Sequence, residues 1–151
     1  ALAATDESTW RRILAARVSG TYLWSREVLP AMLSRGWGRI VNVAGRASAT
    51  SPGGPADSAA DGAIASFTAE LAREGAPRGV TVNAVAPAFV RSSTSGDFLT
   101  DAQERQILAS IPAGRFGEPE EFAHAVRFFA SPLSAFVTGQ TLRVDGGYHL
   151  S

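Results

Sequence analysis

The chain has 151 residues, enough for one domain, and 45% apolar with 19% charged residues is an ordinary globular balance that excludes a disordered chain. Fourteen cationic residues, all arginine, offset fourteen acidic ones, so zero net charge gives no broad basic surface for nucleic acid or an anionic membrane. Cysteine and lysine are absent, which excludes disulfides, thiolate chemistry and Schiff bases, and no apolar run reaches the ~18 residues of a membrane span.

The elements follow in chain order. Asp6 or Ser8 can cap a helix whose apolar stripe opens with Trp10, Ile13, Leu14 and Val18 and continues through Tyr22, Leu23, Val28, Leu29, Met32 and Leu33. Gly20 and Pro30 are expected to weaken or bend it, and Gly36 to stop it. Gly38-Arg39-Ile40-Val41-Asn42-Val43 reads as a buried strand. A Gly/Ser/Pro-rich loop follows from Ala44 to Ala56, with Gly53-Gly54 as a turn. Asp57 or Ser58 is expected to begin a second helix with Ile64, Phe67 and Leu71 inward, ended by Gly75 and Pro77.

Val80 to Val85 predicts the next strand, and Pro87 to Phe98 a mobile loop. Asp101 starts a short helix. Glu118-Pro119-Glu120-Glu121 opens another, with proline in the first turn and acids at the positive end of the dipole. Thr141 to Val144 is the last strand, turned off by Asp145-Gly146-Gly147. Three strands, each preceded by helix, make an α/β domain with a narrow parallel sheet and one open edge. The three tryptophans read as core or interface anchors, His124 as a partly exposed helix residue and His149 as a packing residue of the tail. The absence of an initiating methionine at Ala1 gives the expectation of a processed product or of a part of something longer.

Several blocks, in order, resemble the short-chain dehydrogenase/reductase family. Gly38 to Val43 is similar to the family's fifth strand, and Phe67-Thr68-Ala69-Glu70-Leu71-Ala72-Arg73-Glu74 to the helix behind its catalytic tyrosine. Gly79 to Pro87 resembles the next strand, Pro112 to Glu121 the loop before the late helix, and Val137 to Gly147 the closing strand motif. The resemblance implies the C-terminal half of a Rossmann-like doubly wound parallel sheet, a single partial domain over residues 1–151. The Gly-rich turn that would hold a dinucleotide pyrophosphate is not found in it.

The resemblance also implies NAD or NADP as cofactor, a cytoplasmic location and an oligomer with chains of the same family. It implies a catalytic Asn, Ser, Tyr and Lys, whose positions fall here on Arg17, Gly45, Asp57 and Asp61. Counting back from Asp57 instead moves the serine position to Ala44, and Ser48 is the nearest hydroxyl. The cofactor-side positions are Asp61, Pro87, Ala88, Val90 and Ser92, with Ala88 replacing a glycine. A tyrosine of pKa ~10 can be tuned to deliver a proton near neutrality, whereas an aspartate of pKa ~3.9 is already ionised.

Asp57 and Asp61, spaced i, i+4, could form a carboxylate pair for a metal or for acid–base work. They could instead be a polar face with Asp57 as a helix cap. Arg17 is expected to pair with an aspartate in the cleft, as a structural rather than catalytic contact. Two functions remain open: a non-catalytic, family-derived subunit with an assembly role, and an NAD(P)-dependent oxidoreductase acting on a carbonyl or alcohol whose nucleotide-binding half lies elsewhere.

Overall fold

Asp6 starts the first helix, its carboxylate accepting from the Thr9 amide at 2.7 Å and the Ser8 hydroxyl at 2.8 Å. In the computed structural model, which describes residues 5–45, 54–91 and 99–150, helix α1 runs over Glu7–Leu14 and α2 over Gly20–Arg35. Between them Ala15–Ser19 forms a π-helical turn, in which the Gly20 amide reaches back five residues to Ala15 O. The helix thus passes through Gly20 and Pro30 without ending. Gly36, at φ 70°, closes α2, with its amide on Leu33 O and that of Trp37 on Met32 O.

Strand β1 is Gly38–Val43, α3 Pro55–Gly75, β2 Val80–Pro87, α4 Asp101–Ala109, α5 Pro119–Ala130 and β3 Thr141–Val144. The sheet order is β1-β2-β3, all parallel, with Gly38 opposite Val80 and Ala84 opposite Thr141. Every residue of β2 is buried, the condition of a central parallel strand covered on both faces. On one face α2 and α3 bring Leu29 and Leu71 against Ile40, Val80 and Val82, while Ile64 meets Ala44 and Ala84. On the other, Ala125 and Phe129 of α5 pack on Val85. The sequence-derived α/β architecture with three parallel strands is the one found.

Several boundaries differ from expectation. Helix α3 starts at Pro55 rather than at Asp57 or Ser58, because proline at its first position gives up an amide that has no helical partner anyway. Strand β2 continues to Pro87. Beyond it Ala88 and Phe89 are buried, Phe89 stacking edge-on to Tyr148 at 5.0 Å, and Val90 bridges to Gly117. The start of the expected mobile loop is therefore packed structure. Trp24 and Trp37 are 76% and 48% exposed, so they are not core residues. Helix α2 turns Trp24 outward together with Tyr22 and Leu23 of the expected apolar stripe, and Trp37 lies in the turn before β1 with Arg35 and Arg39 over its ring, directions that apolar character alone does not specify. Ser48, Gly53 and Ser92 lie outside the described residues. No described helix is long and apolar enough to cross a membrane.

Candidate functional site

The four positions singled out by resemblance lie at the C-terminal end of the sheet, where ligands sit in open α/β folds. Each is brought there by a different piece of the scaffold. Gly45 follows β1, and Asp57 and Asp61 lie on successive turns near the N-terminus of α3. Arg17 sits in the π turn, whose extra residue widens the helix at that point, and the Thr21 hydroxyl holds the Arg17 carbonyl at 2.7 Å.

The guanidinium of Arg17 gathers the other three. One terminal nitrogen is directed at Asp57 twice, at the carbonyl oxygen (3.3 Å) and at Oδ1 (3.4 Å). The second donates to Gly45 O at 3.0 Å and forms a short ion pair with Asp61 Oδ1. Each terminal nitrogen, with two N–H groups, therefore faces two acceptors. The side chains are largely withdrawn from solvent, at 22% exposed for Arg17, 17% for Asp57 and 31% for Asp61. Asp57 is not the helix cap. It lies three residues inside, and its Oδ2 accepts from the amide of the capping residue Gly54 at 3.2 Å. The expected pairing of Arg17 with an aspartate is found, with both aspartates.

The clamp stands where two clefts meet. One, of about 670 Å³, is lined by Arg17, Gly45 and Asp57 and runs along Trp24, Val28 and β1. The other, of about 410 Å³, holds Asp61, Ser58, Arg143 and Tyr148, and again Gly45. Gly45 has no room for a side chain, since a Cβ there would overlap the Pro87 carbonyl oxygen and approach Ala86 Cα to 2.9 Å. A serine hydroxyl does not fit that position in this backbone. Of the cofactor-side positions, Pro87 and Ala88 are buried at the end of β2 and Val90 is tied to Gly117. Asp61 faces Arg17, so the cation expected at a nicotinamide ribose is replaced by a carboxylate with its own partner. These residues do not fit the nicotinamide end of a dinucleotide as the resemblance requires.

No group of three or more histidines and carboxylates suited to a metal ion occurs among the described residues, so the metal reading of Asp57 and Asp61 gains no third ligand. His124 is exposed on α5, as read. His149 Nδ1 meets Asp145 Oδ2 at 2.7 Å, closing the turn after β3. Burial pushes the Asp145 carboxyl upward, but the Gly147 amide and His149 outweigh it and leave the group below its ordinary range.

Sequence reasoning missed the polar residues that fix these strand ends. Asn83, fully buried, donates to Val137 O at 2.8 Å and accepts from the Gln140 amide at 3.0 Å, and Asn42 donates to the Thr68 hydroxyl at 2.9 Å. The available signal was an Asn interrupting each β-branched run, which marks a buried side chain that must find partners.

A sequence profile of the family described as enoyl-(acyl carrier protein) reductase matches residues 1–149. The chain is 41% identical over 145 residues to the 3-oxoacyl-[acyl-carrier-protein] reductase FabG of Vibrio cholerae, covering 95% of this chain and 59% of that protein. The Haemophilus influenzae protein of the same name is 38% identical, with 96% and 60% covered. Among solved structures, the gluconate 5-dehydrogenase of Burkholderia cenocepacia in complex with NADP and tartrate superposes with a TM-score of 0.86 at 28% identity, over 99% of this chain and 60% of that one. The chain thus spans about three fifths of the length of these relatives. With a profile match along nearly its whole length and a sheet and helix order that coincide with the resemblance, the chain belongs to the short-chain dehydrogenase/reductase family.

Proposed function

We propose that this chain is a short-chain dehydrogenase/reductase unit that does not carry out hydride transfer and serves as a structural subunit in an assembly with chains of the same fold. The observation that carries this is the Arg17 clamp. The guanidinium occupies the cleft and spends its terminal N–H groups on Asp57, Asp61 and Gly45. The family reaction needs a neutral hydroxyl to pass a proton and a cation to lower its pKa. These four positions supply two carboxylates, a bare backbone and an arginine already paired. The assembly role is supported by Leu133 and Phe136, both almost fully exposed beyond α5, with Phe128 of α5 and Leu142 of β3 also open to solvent. Partners in such an assembly are a second copy or another chain of the family.

The second reading, an NAD(P)-dependent oxidoreductase acting on a carbonyl or alcohol, is favoured by the reductase relatives and by the NADP held in the Burkholderia cenocepacia enzyme. Titration of NADH and NADPH, followed by thermal shift and nucleotide fluorescence with a panel of carbonyl substrates that includes a 3-oxoacyl thioester, separates the two. The proposal expects no turnover and no saturable shift at millimolar nucleotide. Turnover of any panel member overturns it.

A further inference from the structure

Strand β3 sends alternate side chains to opposite faces of the sheet. Val144 packs with α5, so Thr141 and Arg143 belong to the other face, where they line the cleft of about 410 Å³ together with Ser58 and Asp61 of α3. The cleft is open because α3 carries small residues there. A Cβ on Gly62 would meet no neighbouring atom within 4 Å, and Ala65 and Ala86 give short apolar walls. Most charge around the cleft is already spent. Asp61 is paired with Arg17. Asp145, 8% exposed, accepts from the Gly147 amide at 3.0 Å and meets His149 Nδ1 at 2.7 Å. Arg143 has no hydrogen bond or ion pair among the described residues, and the Asp145 contact leaves His149 Nε2 without a partner among them. A guanidinium with all its donors unused, set in a concave site, matches the two oxygens of a carboxylate.

We infer that the cleft between α3 and β3 binds a small organic carboxylate. Arg143 is its charge partner, His149 and the Ser58 and Thr141 hydroxyls are its further hydrogen-bonding groups, and a short alkyl body lies against Ala65 and Ala86. One unspent cation suits a monoanion. A phosphate dianion would bring a second charge toward Asp61 and Asp145 with no second guanidinium to meet it. The anchoring residues lie on β3 and in the tail, outside the Arg17 clamp. The inference thus adds a ligand to the proposed structural role and holds whether or not the clamp residues perform chemistry.

The test titrates the full chain by calorimetry with butyrate, its neutral analogue butyramide and inorganic phosphate. Butyrate is expected to bind saturably and to shift the His149 ring resonances, with butyramide weaker by about tenfold or more. Arg143→Gln should weaken butyrate by about tenfold or more, since it removes a charged hydrogen-bonding partner at an exposed strand position. Gly62→Leu should abolish binding by filling the cleft. Its thermal midpoint should not fall, because leucine replaces glycine within a helix where the space is free. Absence of saturable butyrate binding overturns the inference, as does undiminished binding by folded Arg143→Gln. Unshifted His149 resonances at saturation place the ligand elsewhere and overturn it too, and tighter binding of phosphate than of butyrate overturns the carboxylate assignment. Failure of the non-catalytic reading shows instead as turnover with a nicotinamide nucleotide, which leaves the effect of Arg143→Gln on butyrate unchanged.

Discussion

The centre of the sheet and its C-terminal rim obey different rules. Strand β2 is buried along its whole length, and α3 covers it with Ile64, Thr68 and Leu71. Every block that resembles the family by sequence lies on this scaffold or on the turns that connect it. The rim holds Arg17, Gly45, Asp57 and Asp61, at the positions where the resemblance implies Asn, Ser, Tyr and Lys. The scaffold residues are selected by packing, which a change of chemistry at the strand ends does not touch. The rim residues are selected by charge and reach, and they satisfy one another. Packing thus sets the fold at the centre, while the polar groups of the rim close on one another.

The contrast is broken most severely at the centre. Ile64, 1% exposed and in contact with Ala44 and Ala84, sits under the rim without belonging to it. Ile64→Ala should cost about 2–5 kcal/mol of unfolding free energy, as for other buried aliphatic truncations, measured by urea denaturation. A loss below ~1 kcal/mol would mean that the interior is looser than its burial indicates.

The rim should respond less, and in a way that depends on what is left behind. Arg17→Ala strips the cation from two carboxylates and the donor from the Gly45 carbonyl, at side chains 17–31% exposed. Partial exposure discounts the cost of unpaired charge, and about 1–3 kcal/mol is expected. The triple variant Arg17→Met, Asp57→Asn, Asp61→Asn removes the charges together and should recover part of that loss, because no buried ion is left without a partner. If the triple variant is less stable than the single one, the clamp stabilises the fold on its own account and the self-neutralising view fails.

How far the sequence could be read follows the same division. Periodicity located all three strands and the main helices, since Ile64, Leu71 and the β-branched runs had to face one core. The family resemblance, rather than periodicity, set Arg17 in one cleft with the aspartates, where unlike charges pair. Periodicity did not show the π turn at Ala15–Ser19, which depends on a one-residue difference in hydrogen bonding that no side chain announces. Nor did it show the helix start at Pro55, where Asp57 resembled a cap while acting from inside the first turn. The exposure of Trp24 was hidden because apolar character says that a surface wants cover, not whether the cover is present. The close approach of Gly45 to Pro87 joins two segments 42 positions apart, and only the folded backbone reveals it.

The smallest effect lies at a second rim ion pair that the clamp comparison needs as its exposed counterpart. Arg115 grips Glu121 with both terminal nitrogens, at 2.8 and 2.7 Å, and Glu121 Oε2 also accepts the Glu118 amide at 2.8 Å where α5 begins. The Arg115 hydrogen bonds, then the Glu118 amide, hold the Glu121 carboxyl down at about 2 from an ordinary 4.5. A depressed carboxyl contributes stability that is complete above the unfolded value and is lost as pH falls toward the folded one. Urea midpoints of the wild type and Glu121→Gln should therefore differ by a constant amount above pH 4.5 and converge between about 4.5 and about 2. Arg115 and Glu121 are 57% and 44% exposed, so the gap should be modest and should shrink with added salt. The Arg17 clamp, withdrawn from solvent, should yield far less to the same salt. Equal salt sensitivity of the two would show that the cleft is as wet as the surface, and the distinction between a closed site and an ordinary surface ion pair would be lost.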